Sequence, residues 1–344
     1  MALYDESIGF YATTGRAGRR GDFLTSPEVG PLFGALIARR LDEEWRALGS
    51  PETFVVVEFG AGPGTLARSV AFAAPECAKA LRYLMVERSA QQRSSHAEHL
   101  DSWVGDLDDE GVESFVRDVA PGPRFASSAV APFGITGVVL ANELLDNLAF
   151  DIVRHNGAGA FERLDVVHGE DGLEFVVVPM AVPGALAPVL MTAGVGEWTP
   201  LQHHAMQWLA AAIDRLDGGA VIVIDYGATT AAIAARPEMG WLRTFVDQER
   251  GGHPLDEPGR CDITTDVAVD QLATVMEPTV LTTQQEFLKR LGIEQIVNEG
   301  RRIWMENASA PNVTALRARS RIGEAEALLE LSGLGDFVVL EWRK

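Results

Sequence analysis

FVVVEFGAGPGTLAR, residues 54–68, is the stretch that decides the fold. Phe54-Val55-Val56-Val57 is β-branched or aromatic throughout and reads as a buried parallel strand. Glu58 follows at its end. Gly60, Gly62 and Gly64 then stand at alternate positions, and Thr65-Leu66-Ala67-Arg68 turns helical. A strand, a glycine turn and a helix N-terminus at Thr65 and Leu66 make a nucleotide pocket, because glycines let a ligand approach bare backbone.

The glycine spacing selects the ligand. A dinucleotide turn needs G-x-G-x-x-G, and counting from Gly60 puts Thr65 at the last position. Counting from Gly62 puts Ala67 there, which is allowed but leaves Gly64 unexplained. The pattern is E-x-G-x-G-x-G, with an acid inside the turn. A carboxylate there repels a pyrophosphate and suits a cation. S-adenosylmethionine (SAM) carries a sulfonium and an ammonium, and the motif resembles the first SAM motif of class I methyltransferases. An ordinary strand-to-helix turn is the plainer reading, and the acid with its flanking strand argues against it.

Outward from this stretch, composition sets limits. The chain has 344 residues, 47% of them hydrophobic, enough for one large domain with an insertion or for two domains. A net charge of −20 argues against nucleic acid and against an anionic membrane surface, and tolerates a basic protein partner. Cys77 and Cys261 stand far apart without metal-ligand company, so neither a disulfide framework nor a metal site is expected. A reducing, cytoplasmic setting fits. No apolar run has membrane-spanning length, and no signal or transit peptide is visible.

Residues 1–25 read as a loop, with Gly15, Gly18 and Gly21 among Arg16, Arg19 and Arg20, then Asp22 and Phe23. Thr25-Ser26-Pro27-Glu28 is a helix start, either a Thr25/Glu28 capping box or Ser26 with Pro27 after it. Val29, Leu32, Phe33, Leu36, Ile37, Leu41 and Trp45 continue at helical spacing as core. Tyr83 to Val86 is a second strand, and Glu87 ends it, where a carboxylate accepts from both ribose hydroxyls. Trp103 and Asp106 suit an adenine by stacking and hydrogen bonding; equally, Trp103 suits the core and Asp106 a solvated turn. Gly137 to Ala141 is a further strand, ending at Asn142-Glu143-Leu144-Leu145-Asp146. Ligands of doubly wound sheets bind off carboxyl ends, so Asn142, Glu143 and Asp146 fall where an acceptor meets the cofactor. Glu143 and Asp146 would share a face of a helical turn.

Residues 150–180 alternate and are split by glycines, the pattern of antiparallel hairpins inserted into the sheet. A linker follows from Pro179 to Pro188, then a helix near 200–216 and a strand, Ala220 to Ile224, ending at Asp225-Tyr226-Gly227. Residues 236–266 are loop-rich and hold His253 and Asp262. Thr283 to Leu291 reads helical, and Phe337 to Leu340 is a closing strand. The expected organisation is an N-terminal loop and helix (1–50), core (51–149), hairpin insertion (150–200), core (201–235), loop-rich insertion (236–270) and core completion (271–344).

GRRGDFLTSPEVGPLFG, EFGAGPGTL, ANELLD, VIDYG, GWLRTF, PGRCDITTDV, TQQEFLKRLGI and GLGDFVVL occur in that order and span nearly the whole chain. Together these blocks are similar to the MidA family of SAM-dependent methyltransferases, whose mitochondrial member is a complex I assembly factor and protein arginine methyltransferase. The resemblance implies a class I, Rossmann-like α/β sheet with helices on both faces and an antiparallel insertion. It places Glu58, Gly60, Gly62, Gly64 and Glu87 at the cofactor. It puts Asp22, Phe23, Thr25 and Ser26 over the cofactor, and Asn142, Glu143 and Asp146 at the acceptor entrance with Tyr226 and Asp262 nearby.

The expected reaction is methyl transfer to an arginine guanidinium of a protein. Carboxylates hold this planar cation by paired hydrogen bonds, in-line attack needs proximity and orientation, and His253 or Asp262 takes the proton. The rivals are a small-molecule methyltransferase and a non-catalytic SAM-binding assembly factor, with a dehydrogenase as the outside choice. A homodimer is left open.

Overall fold

The computed structural model describes residues 2–3, 9–10, 25–170, 172–246 and 249–344. The expectations for the glycine-arginine loop, Asp22 and Phe23 lie outside the described residues. The chain forms two compact units: a core unit of Leu24–Asn142, Asp214–Ile224 and Thr279–Lys344, and a second unit of Met1–Phe23, Glu143–Ile213 and Asp225–Pro278. This differs from the expected organisation. The stretch 201–235 is divided between the units, and the hairpin and loop-rich insertions belong to one body.

The core unit is built on eight strands: β1 (Phe54–Phe59), β2 (Leu81–Val86), β3 (Trp103–Leu107), β4 (Arg124–Ser128), β5 (Ile135–Asn142), β6 (Leu216–Asp225), β7 (Val280–Thr283) and β8 (Val338–Arg343). Their order across the sheet is β7-β8-β6-β5-β1-β2-β4-β3. The pairs from β6 to β3 are parallel, and β7 runs antiparallel to β8. Gly219 and Lys344 exchange both backbone hydrogen bonds, at 3.2 and 3.1 Å, the antiparallel pattern between β6 and β8. From β1 the chain winds outward to β2 and later to the other side at β5. The crevice at the carboxyl ends of β1 and β5 is therefore the topological switch point, where such sheets bind ligands.

Continuous apolar strands fix this arrangement, since parallel strands are buried on both faces. Phe54, Val56, Tyr83, Val138, Leu140, Ile222 and Val339 share one buried cluster. Helix α1 (Pro31–Ala47) adds Leu32, Phe33, Leu36, Ile37 and Leu41 to it, the expected stripe. Helix α2 (Thr65–Ala73) adds Leu66, Ala67 and Val70. Three C-terminal helices, α3 (Gln284–Arg290), α4 (Ile293–Asn307) and α5 (Val313–Leu329), close the same cluster. Glu324 of α5 accepts the Leu32 N–H at 2.9 Å and satisfies one open donor at the start of α1. The expected capping box is not formed: Thr25 makes no side-chain cap bond. Residues on the other face of the sheet, among them Val55, Val57, Val139 and Val221, are buried too.

The second unit carries the expected hairpins as a four-stranded sheet. Its strands are Asp151–His155, Phe161–His168, Leu173–Met180 and Thr199–Leu201, the first three joined as antiparallel neighbours. Ile152, Ile233, Trp241 and Ala268 form its own small core, with Phe150, Phe175 and Trp198 packed on it.

Candidate active site

In the core unit the glycine turn has the backbone its sequence requires. Gly60, Gly62 and Gly64 have φ of 66°, 53° and 78°, a region open to glycine at little cost. The Gly62 N–H donates to Glu87 Oε2 at 3.1 Å, and the Ser89 N–H donates to Glu87 Oε1 at 2.8 Å. The carboxylate expected at the ribose is thus fixed against the turn, and burial raises its pKa above the ordinary value.

Glu58 lies elsewhere than expected. It belongs to β1 rather than to the turn, and strand alternation points it to the face of Phe54 and Val56. It is buried and accepts a 2.8 Å hydrogen bond from the Tyr83 hydroxyl. Burial pushes its pKa up to about 8, against lowering by that hydrogen bond and by Arg68. At neutral pH this acid is therefore mostly protonated. The negative charge expected from the sequence is missing because desolvation outweighs the nearby arginine.

The other cofactor candidates divide. Asp106, at the carboxyl end of β3, accepts from Arg93 Nε at 3.1 Å and from the Ser127 hydroxyl at 3.1 Å. Arg93 also donates to the Glu87 carbonyl at 2.7 Å, which links the two acids. Trp103 opens β3 at its amino end and packs on the core cluster, so its place is that of a core residue. Thr65 donates to Glu28 at 2.5 Å and accepts from Arg68 at 3.1 Å. Leu66 is core, and only its backbone is open to a ligand role. Thr25 and Ser26 are buried, and the Ser26 hydroxyl donates to Gln284 at 3.1 Å, which ties it inward. Asn142 ends β5 in register with Ile224.

Sequence reasoning missed two core-unit residues. His96 is fully buried, with Nε2 2.7 Å from the Gly62 carbonyl, and Arg93 joins Glu87 to Asp106. Both follow β2, Arg93 at the end of the one-turn helix Ala90–Arg93 and His96 in the turn after it, where local pattern gives no sign of a role.

In the second unit, acids gather on Asp225, which the sequence reading passed over as a strand end. Its Oδ2 accepts the N–H groups of Leu145 and Asp146 at 2.9 and 3.3 Å, and Oδ1 accepts that of Tyr226 at 2.9 Å. Burial, then the charge of Glu143, pushes its pKa up to about 8. The Tyr226 hydroxyl donates to Asp146 Oδ2, and Asn147 donates to Asp146 Oδ1 at 3.1 Å. Asp146 is buried, and burial together with Asp225 and Asp262 drives its pKa well up. The Arg243 guanidinium lies 4.5 Å from the Tyr226 ring centroid and pairs with Asp266 at 2.6 Å.

Tyr226 and Asp262 therefore do join Asp146. Glu143 and Asp146 do not share a helical face: Glu143 stands at φ 53°, and a 3₁₀ turn starts only at Leu145. His253 is exposed on a different turn, its ring 5.6 Å from that of Phe175 and its Nδ1 accepting the Leu255 N–H at 3.3 Å. It is not among the gathered residues, and the proton-acceptor role expected for it has no support. Among the described residues no group of three or more His, Cys, Asp or Glu is placed to hold a metal ion.

The family described as "Putative S-adenosyl-L-methionine-dependent methyltransferase" matches residues 36–287. The chain is 29% identical over 290 residues to the mitochondrial protein arginine methyltransferase NDUFAF7 homolog of Drosophila melanogaster, covering 77% of this chain and 62% of that one. It is 27% identical over 318 residues to the human protein arginine methyltransferase NDUFAF7, covering 85% and 68%. The chain thus spans about two thirds of the length of these relatives. A Burkholderia thailandensis protein crystallised with S-adenosyl-homocysteine superposes with a TM-score of 0.77 at 25% identity, covering all of this chain and 85% of that one.

Proposed function

Because the chain belongs to this family of S-adenosyl-L-methionine-dependent methyltransferases, with 36–287 inside the match, we propose that it methylates an arginine guanidinium of a protein. SAM is the methyl donor. The observation that carries the acceptor reading is the acid group of the second unit, Glu143, Asp146, Asp225 and Asp262, taken with the names of the relatives.

Glu87 takes the ribose hydroxyls of the cofactor, and the glycine turn takes its amino-acid end against bare backbone. Glu143 receives the guanidinium by paired hydrogen bonds, while Asp225 pins the two segments that carry Asp146 and Tyr226. A guanidinium has a pKa above about 12, so it loses its proton during or after transfer. Asp262, which joins this group of acids, is the candidate to take it, since burial favours the protonated form of Asp146 and Asp225.

Transfer of tritium from labelled SAM to candidate proteins tests this reading. Label recovered in methylated arginine supports it. Label in a small molecule and in no protein overturns the acceptor and leaves the cofactor standing. We also propose a reducing, cytoplasmic setting, on the two free thiols Cys77 and Cys261; cell fractionation tests it.

A further inference from the structure

We propose that His96 is a positioning residue of the cofactor site, which sets the glycine turn and, through the backbone of Gly62, orients Glu87. The role rests on the SAM reading above and adds a residue to it.

A carbonyl oxygen can only accept, so the 2.7 Å contact with Gly62 places the hydrogen on His96 Nε2 and leaves Nδ1 bare. Nδ1 is buried and has no hydrogen-bond partner among the described residues. A second proton there would meet no acceptor, so the ring stays neutral and adds no positive charge beside a cationic cofactor. The same residue, Gly62, donates its N–H to Glu87 at 3.1 Å. One residue is therefore held at both of its backbone groups, its C=O by the imidazole and its N–H by the carboxylate. The bonds form a closed circuit: the His96 N–H donates to the Arg93 carbonyl at 3.1 Å, and Arg93 Nη1 donates to the Glu87 carbonyl at 2.7 Å. The ring also packs on the turn, since a Cβ at Gly64 would stand 3.1 Å from His96 Cδ2.

A histidine that only fills space would affect stability when replaced. A positioning histidine changes cofactor affinity and leaves the chemical step alone. The test compares wild type, His96→Leu and His96→Gln, the last keeping an N–H donor. His96→Leu is expected to weaken S-adenosylhomocysteine binding about tenfold by calorimetry, the scale of one hydrogen bond to a structured backbone. KM for SAM should rise to match, kcat at saturating SAM should hold within about twofold, and His96→Gln should recover most of the affinity.

Unchanged affinity in His96→Leu, a loss in kcat alone, or no rescue by glutamine overturns the role. If His96→Leu does not fold, ¹⁵N-histidine spectra of the wild type decide: the Nε2–H tautomer with a bare Nδ1 that shifts on adding S-adenosylhomocysteine supports it. A Nδ1–H tautomer, or no shift at saturation, overturns it. A wild type that does not bind S-adenosylhomocysteine at all overturns the cofactor reading and this role with it, an outcome distinct from the variant results.

Discussion

Tyr226 and Asp146 stand eighty residues apart in the chain, and the hydroxyl of the first donates to the carboxyl of the second inside the second unit. The Arg243 guanidinium over the ring fixes the tyrosine in place. Tyr226→Phe removes the donor and leaves a buried carboxyl oxygen unsatisfied. Such a loss costs about 1–3 kcal/mol. Urea denaturation should show a fall of that size, and an unchanged midpoint would mean that the contact contributes nothing.

Glu143 gives a way to separate strain from chemistry. An L-residue in the left-handed region costs about 1–2 kcal/mol, and Glu143 sits there at φ 53°. Glu143→Gly should raise the unfolding free energy by about 1 kcal/mol and still abolish transfer to protein. Glu143→Gln should lose transfer without that gain. Parallel denaturation and tritium-transfer assays check both halves.

The Glu58 carboxyl predicts a pH signature. Its pKa rises from 4.5 to about 8 in the folded protein, with burial the largest cause. Above the unfolded value the unfolded chain gives up its proton while the folded one keeps it. Stability from this group is therefore greatest at low pH and is lost as pH climbs from 4.5 towards 8, at a limiting slope of about 1.4 kcal/mol per pH unit. Glu58→Gln should flatten that slope in thermal melts.

The same group should tune cofactor affinity. A cationic ligand favours the ionised carboxylate, so SAM should bind more tightly as pH rises, by up to about tenfold per unit, and level off near 8. Calorimetry across that range would show proton release on binding, and a flat profile would remove Glu58 from the cofactor's surroundings.

Gly64→Ala tests the turn itself. The new Cβ would meet Met85 Sδ and His96 Cδ2, each at 3.1 Å, in a backbone with φ of 78°. S-adenosylhomocysteine affinity should drop at least tenfold, about 1.4 kcal/mol. Retained affinity would show that the turn yields.

The sequence made the sheet legible and the chemistry less so. Apolar runs such as Phe54–Val57, Tyr83–Val86 and Ala220–Ile224 can only be buried strands, and alternation split by glycines marked the hairpins of 151–180. Short or polar elements gave weaker signals: β3 and β7 were not anticipated, nor were the helices Ile293–Asn307 and Val313–Leu329. Glu58 and Glu87 were singled out by position, but the burial that leaves Glu58 largely protonated arises only once β2 lies beside β1. Asp225 was indistinguishable from any acid ending a strand until Leu145, Asp146 and Tyr226 supplied their N–H groups. His96 is a lone histidine in sequence and becomes informative only through the carbonyl it meets.

The crossings between the units at residues 142–143, 213–214, 224–225 and 278–279 have a consequence for biosynthesis. Neither body is encoded by one uninterrupted segment. The cofactor-binding sheet lacks β8, the neighbour of β6, until the ribosome has added Val338–Arg343. Most of its strands must wait, unfinished, while the segments of the second unit and the C-terminal helices are made, so a nascent chain stalled before residue 338 leaves an open sheet edge exposed to chaperones or aggregation.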